Sequence, residues 1–228
     1  MLVVQGLIAR GWLESAGMSG QEAHEALSVE VAELLERAVD QKAGWLVLKA
    51  QAGEAGALEQ REWVVAWLDE VRAKQRRSKR VLWPVGTIEQ GEPMVEALLG
   101  WALLAQETHT EVLAMQAAWW RCLEQSDAAQ PYHGEKGAVV TWEQMRAPSS
   151  YEIETFRHLG CDFWIADLTD AGGDLGDWEE ALEAIEAWRS AQPRWKPLLL
   201  AGVTQAQRES LLVALEPRRS RFLGLLWS

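Results

Sequence analysis

The densest concentration of reactive groups is the stretch Asp167-Leu168-Thr169-Asp170-Ala171-Gly172-Gly173-Asp174-Leu175-Gly176-Asp177, where four carboxylates are spaced among glycines after a β-prone run. Carboxylates so placed can hold a divalent cation. Alternatively, Asp167 can act as a general base, with Asp170 as a ligand-binding group, while the glycines let a ligand approach the backbone. The spacing matches no EF-hand loop, so the sequence leaves the metal open. A plainer reading stands beside these: a solvated turn whose last acid, Asp177, caps the following helix.

Lys49 ends the run Trp45-Leu46-Val47-Leu48. Period-two alternation puts Trp45, Val47 and Lys49 on one face of a strand, and desolvation there would lower the lysine pKa toward an amine nucleophile or fit it to a phosphate. The competing outcome is a lysine that snorkels outward to water. Ala201-Gly202-Val203-Thr204 joins a strand to a helix. Gly202 and Thr204 are candidates for an anion site built from free helix N–H groups, or else form an ordinary strand-to-helix turn.

Pro84-Val85-Gly86-Thr87-Ile88-Glu89-Gln90-Gly91-Glu92 also follows a strand candidate. Locally it resembles the PVGSxEQHG stretch of creatininase-type metal amidohydrolases, in which the acid and the histidine bind metal. Gly91 stands here where that family has its histidine, and no downstream Thr-Asp pair follows at the family's place. The likeness covers under a tenth of the chain and assigns no family. Glu89 is kept as a candidate catalytic residue because of its place after a strand. The histidines His24, His109, His133 and His158 are scattered and make no HExxH. Without a GxSxG elbow, a P-loop or a GxGxxG, the sequence names neither a reaction nor a cofactor.

These residues need elements to position them. Short β-prone stretches alternate with amphipathic helical ones along the whole chain, with strand candidates near residues 2–6, 45–49, 80–85, 110–116, 137–142, 162–167, 197–202 and 221–226. That alternation is how βαβ units read. Ser19 with Glu22, Ser149 with Glu152, Asp177 with Glu180 and Thr204 with Gln207 have capping-box spacing, or its Asp variant, ahead of apolar-periodic runs. Ala23, Leu27, Val31, Leu34 and Ala38 make the apolar face of a first helix, and Val64, Trp67, Leu68 and Val71 that of a second. A third uses Met94, Leu98, Trp101 and Leu104 or Ala105.

Only residues 110–116 are ambiguous, because Val112-Leu113-Ala114-Met115 suits a strand or the continuation of a helix. As a strand it brings the number to eight, the number that closes a barrel. The expected fold is therefore a single α/β domain over residues 1–228, a (β/α)8-type barrel lacking the final helix. An open doubly wound parallel sheet is the alternative. The strand candidate at 221–226 runs into Trp227-Ser228 with no helix behind it, which would leave apolar surface at the seam between first and last strands. A second copy, a partner subunit or the segment between Gly6 and Ser19 is expected to cover it.

Bulk properties narrow the partners. The 228 residues are 48% hydrophobic and carry a formal net charge of -12, with a pI near 4.9. Phosphate backbones are repelled by such a charge, so nucleic acid is not expected as a partner. The basic stretch Arg72 to Arg80 reads as cations completing a helix C-terminus rather than as an anion or membrane patch. No run approaches the roughly 18 apolar residues of a membrane span. Met1-Leu2-Val3-Val4 is unlike a signal peptide, and a cytoplasmic protein is expected. Cys122 and Cys161 form no CxxC pair and read as buried small hydrophobes. Fourteen tryptophans is a large excess. Core packing is the commoner reason, and a partner interface or sugar stacking the others.

The functional expectation is thus a barrel-type enzyme acting on a small molecule, phosphorylated or not, at the strand C-terminal face, with its reaction unnamed. Asp167, Lys49 and Glu89 would be its catalytic residues, and Asp170, Gly202 and Thr204 its ligand contacts. The alternative is a catalytically silent α/β barrel serving as a binding or assembly subunit.

Overall fold

The computed structural model describes residues 6–8, 25, 28–29, 31–33, 35–36, 45–47, 57–74, 80–84, 95–126, 132–169, 171, 178–222 and 224–227. Strands form at every expected place, displaced by a few residues at most: β1 (Gly6–Ile8), β2 (Trp45–Val47), β3 (Arg80–Pro84), β4 (Val112–Gln116), β5 (Glu135–Thr141), β6 (Phe163–Asp167), β7 (Leu198–Val203) and β8 (Gly224–Trp227). The ambiguous stretch is the strand β4, followed at once by a helix. Val112, Leu113, Ala114 and Met115 are all buried, which explains why periodicity could not tell a strand from a helix there.

The chain divides into two compact units, one drawn largely from Gln5–Leu113 and the other from Ala114–Gln125 and Glu135–Ser228. In the first, β1 pairs in parallel with β2, and β2 with β3. Helical residues at 25, 28–29, 31–33 and 35–36 (α1) bury Val31 and expose Glu25, Glu33 and Glu36, as their spacing predicts. Helix α2 (Ala57–Lys74) buries Trp67, Leu68 and Val71, and α3 (Val95–Glu107) buries Leu98, Trp101, Leu104 and Ala105.

Two of the basic residues have structural work. Arg72 donates to the carbonyl of Thr108 past the end of α3, and Lys74 donates to the backbone and hydroxyl oxygens of Ser28. The same α3 terminus closes with Thr110 N–H donating to Ala105 O and His109 N–H to Gln106 O. That pattern needs a left-handed residue, here His109 at φ 49°.

In the second unit β5, β6, β7 and β8 pair in parallel in chain order. Helix α4 (Ala117–Gln125) precedes β5, and α5 (Trp142–Arg146), α6 (Ser150–His158), α7 (Trp178–Ser190) and α8 (Arg208–Leu215) stand between successive strands. Trp164 of β6 meets Phe156 of α6 edge-on at 5.9 Å and Trp188 of α7 at 5.4 Å, so its face of the sheet is the helix-covered one. Each such ring removes roughly 150–250 Å² from water, about 4–6 kcal/mol of gross transfer energy at ~25 cal/mol/Å².

Trp67, Trp101, Trp119, Trp120, Trp164, Trp178 and Trp188 are all buried, so the core takes up much of the tryptophan excess. Cys161 is buried as expected, whereas Cys122 is only half-buried. Among the described residues no helix is long and apolar enough to cross a membrane.

Of the predicted caps in described residues, Ser149–Glu152 forms in full. At Thr204 a 3-10 turn (Gln205–Gln207) intervenes and α8 starts from Gln207 without a side-chain cap, because the Thr204 hydroxyl donates to Gln207 Oε1 and accepts no helix N–H. Ser149 accepts from Glu152 N–H while the Glu152 carboxylate accepts from Ser149 N–H. Thr141 and Gln144 make a second reciprocal box at the start of α5. The pairs Ser19–Glu22 and Asp177–Glu180 fall wholly or partly outside the described residues.

Candidate functional site

With Trp164 on the helix-covered face, alternation places Phe163, Ile165 and Asp167 on the opposite one. Register extends that face across the sheet. Thr141 of β5 pairs with Asp167, and Asp167 pairs with Ala201 of β7. Thr141, Asp167 and Ala201 thus form one row at the strand C-terminal ends. All three are partly exposed, as is Val139 one step behind. Deeper on the same face, Phe163, Ile165 and Leu199 are closed off. Strand C-terminal ends are where parallel α/β folds bind ligands, because the chain there turns outward into variable loops.

Asp167 is held by a tight local arrangement. Its Oδ1 accepts from the Thr169 backbone N–H at 3.0 Å and from the Thr169 hydroxyl at 2.7 Å. Gly202 closes the other side, with φ at +75°. A methyl group built on Gly202 would lie 2.4 Å from both the nitrogen and the hydroxyl of Thr169 and 2.7 Å from Asp167 Oδ1. Glycine is therefore required at this position twice over, by its left-handed backbone and by the absence of space. Backbone pairing continues past the strand, where Leu168 N–H donates to Ala201 O at 2.9 Å.

Thr204 is committed elsewhere. Its backbone N–H and its hydroxyl both go to Gln207 Oε1, at 3.1 and 2.8 Å. Gln207 reaches back as the capping spacing predicts and takes the Thr204 N–H and hydroxyl. The structure brings Asp167 and Gly202 together and turns Thr204 toward its own helix start. Lys49, Glu89 and Asp170 lie outside the described residues.

Two contributors to the site were not singled out from sequence. Thr169 was legible as a hydroxyl two residues after an acid, a spacing that lets the acid accept from the turn backbone. Thr141 was legible as the first residue of T-x-x-Q, a capping-box signal that coincides with a strand end.

Other polar concentrations do not converge on a ligand. A cleft of about 300 Å³ lies among Val65, Asp69, Arg72, Glu107, Thr108 and His109. Its guanidinium is already spent on Thr108 O and, at 3.5 Å, on Asp69. At the N-terminal ends of β6 and β7, Lys196 donates to Leu159 O at 2.8 Å and to Cys161 Sγ at 3.1 Å. Burial pushes the Cys161 thiol up to about 11 against the pull of that ammonium. Among the described residues no group of three or more His, Cys, Asp or Glu side chains is placed to hold a metal ion.

Neither a family model nor a curated protein matches the sequence. Similarity appears instead among solved structures. An aldolase designated QR15 superposes with a TM-score of 0.56 at 9% identity, over 100% of this chain and 90% of its own. A mandelate racemase/muconate lactonizing enzyme from Jannaschia sp. CCS1 gives 0.54 at 14% identity, over 99% and 55%. Oxaloacetate acetylhydrolase gives 0.53 at 12% identity, over 100% and 75%. The chain thus spans most of the aldolase and about half of the racemase-type enzyme. These likenesses establish the fold: α/β with a parallel sheet, of the (β/α)8-barrel type. Their identities are too low to carry a reaction.

Proposed function

We propose that the chain is a barrel-type enzyme acting on a small molecule at the C-terminal ends of β5, β6 and β7, with Asp167 as its acid–base residue. The observation that supports this most is the row Thr141–Asp167–Ala201, aligned by strand register and partly open on the face away from the helices. A carboxylate in that position can accept a proton from a bound hydroxyl, amine or carbon acid, and a fixed geometry makes the transfer efficient. Solved structures with this fold include an aldolase, a racemase-type enzyme and an acetylhydrolase, three different chemistries on one scaffold. They favour an enzyme without selecting a reaction. Seven of the fourteen tryptophans are buried in the described core, which supports core packing over a partner interface as the reason for much of their excess.

The test is a thermal-shift screen of small metabolites (hydroxy acids, keto acids, amino acids, polyols and their phosphates) on the wild type and on Asp167→Asn. Asp167→Asn is expected to keep the wild-type Tm within about 2 °C while losing the ligand-induced rise; at saturating ligand, 100 times Kd, that rise corresponds to about 2.7 kcal/mol. A variant that binds and turns over as well as the wild type would overturn the assignment of Asp167.

A further inference from the structure

Asp167 offers two carboxylate oxygens, and the fold treats them differently. Oδ1 receives both donors of Thr169, at 3.0 and 2.7 Å, and lies against the bare Cα of Gly202, where a methyl group would come within 2.7 Å of it. Oδ2 makes no hydrogen bond with any described residue. A carboxylate held through one oxygen by two donors cannot rotate freely, so its second oxygen has a fixed direction. Next to it in the row stands Thr141. The Thr141 hydroxyl accepts from Gln144 N–H at 3.3 Å, and its own N–H is taken by Gln144 Oε1 at 2.9 Å. At the far side of Gly202, the N–H and hydroxyl of Thr204 are taken by Gln207 Oε1. Two side-chain amides thus take the backbone N–H groups of Thr141 and Thr204 on either side of Asp167, and Asp167 presents an acceptor.

We propose that this site selects its ligand by a donor group, a hydroxyl or an ammonium presented to Asp167 Oδ2, and that Thr169 and Gly202 are positioning residues that aim this oxygen. The inference rests on the proposed site at Asp167 and names its ligand class. It departs from the sequence reading of the Gly202–Thr204 turn as an anion site. A phosphate dianion would bring acceptors to an acceptor and add like charge, both unfavourable. An alcohol or protonated amine brings a donor to Oδ2, and a charge-assisted bond to a fixed carboxylate is among the stronger single contacts available.

Three probe sets measured by ligand-observed NMR on the full chain decide it: inorganic phosphate, a polyol panel and a primary-amine panel, each against wild type, Asp167→Asn, Thr169→Val and Thr169→Ser. The expected result is binding from the polyol or amine panel and none from phosphate. Thr169→Val should weaken that binding about tenfold, equivalent to about 1.4 kcal/mol, and Thr169→Ser, which keeps the hydroxyl, should restore it. Loss in Thr169→Val without rescue by serine indicates a packing role and overturns the positioning claim. Full binding in Thr169→Val does the same while leaving the Asp167 site intact. Phosphate as the sole binder overturns the donor selectivity. Binding unaffected by Asp167→Asn, or no binding by any probe, overturns the site itself and this inference with it. Circular dichroism melts on each variant separate unfolding from loss of aim.

Discussion

The two ends of the same strands in the β5–β8 unit are built differently. At the N-terminal ends, polar side chains are spent on backbone groups: Asp162 accepts from Lys136 N–H, Glu124 from Gly160 N–H, and Lys196 donates to Leu159 O. These contacts satisfy groups that the turn would otherwise leave unpaired, and they tie α4, α6 and β7 into one closed edge. At the C-terminal ends, side chains hold the turns that contain them, Thr169 on Asp167 and Gln207 on Thr204, and the row of Thr141, Asp167 and Ala201 is left partly open. One end is tied into backbone groups, which favours stability. The other is fixed yet accessible, which is what binding needs, and barrel folds divide these duties in the same way.

The largest effect that would break this contrast is expected from Gly202→Ala. A left-handed alanine costs about 1–3 kcal/mol, and a collision with the Thr169 backbone at 2.4 Å adds a comparable amount. The expected loss is about 3 kcal/mol or more in urea unfolding. A variant within 1 kcal/mol of wild type would show that the C-terminal edge is looser than described.

The N-terminal edge is read through Cys161, whose thiol burial raises from 9.0 to about 11. The folded state keeps its proton in a range where the unfolded chain has lost it, so the unfolded state binds fewer protons and stability falls as pH rises from 9 to 11. Relative to Cys161→Ala, the wild type should lose about 2 kcal/mol across that window, and native Cys161 should resist thiol reagents that modify half-buried Cys122. Parallel pH curves for the two proteins would contradict the closed edge.

The smallest effect belongs to Glu152. Partial burial raises its carboxyl, but the N–H and hydroxyl of Ser149 together with Gln144 outweigh that and hold it below 4.5. Its contribution is present above pH 4.5 and lost as pH falls through the depressed value. Glu152→Gln should flatten the acid limb of the stability curve slightly, without changing stability near neutrality by more than about 1 kcal/mol.

Much of the fold was legible in the sequence because period-two and helical apolar patterns are local, and each candidate strand formed. The β4 stretch resisted for a physical reason: a run buried on both faces has no alternation to read. Of the candidate site, Asp167 and Gly202 were visible separately as an acid and a glycine after strands. Thr169 and Thr141 were not singled out, although Thr169 two residues after Asp167 and Thr141 three before Gln144 carry readable turn and capping spacings.

By itself the sequence determined the alternation of strands and helices, the acidic charge, the helix start at Ser149, and the buried tryptophan faces. These follow from side-chain period, charge and short-range hydrogen bonding. Only the tertiary structure decided that Asp167 shares a row with Thr141 and Ala201, that Gly202 leaves no room beside its carboxylate, and that Gln207 claims the N–H of Thr204. Those facts depend on the register between strands about 25 to 35 residues apart, and register is set by the packing of whole faces, which no single segment encodes.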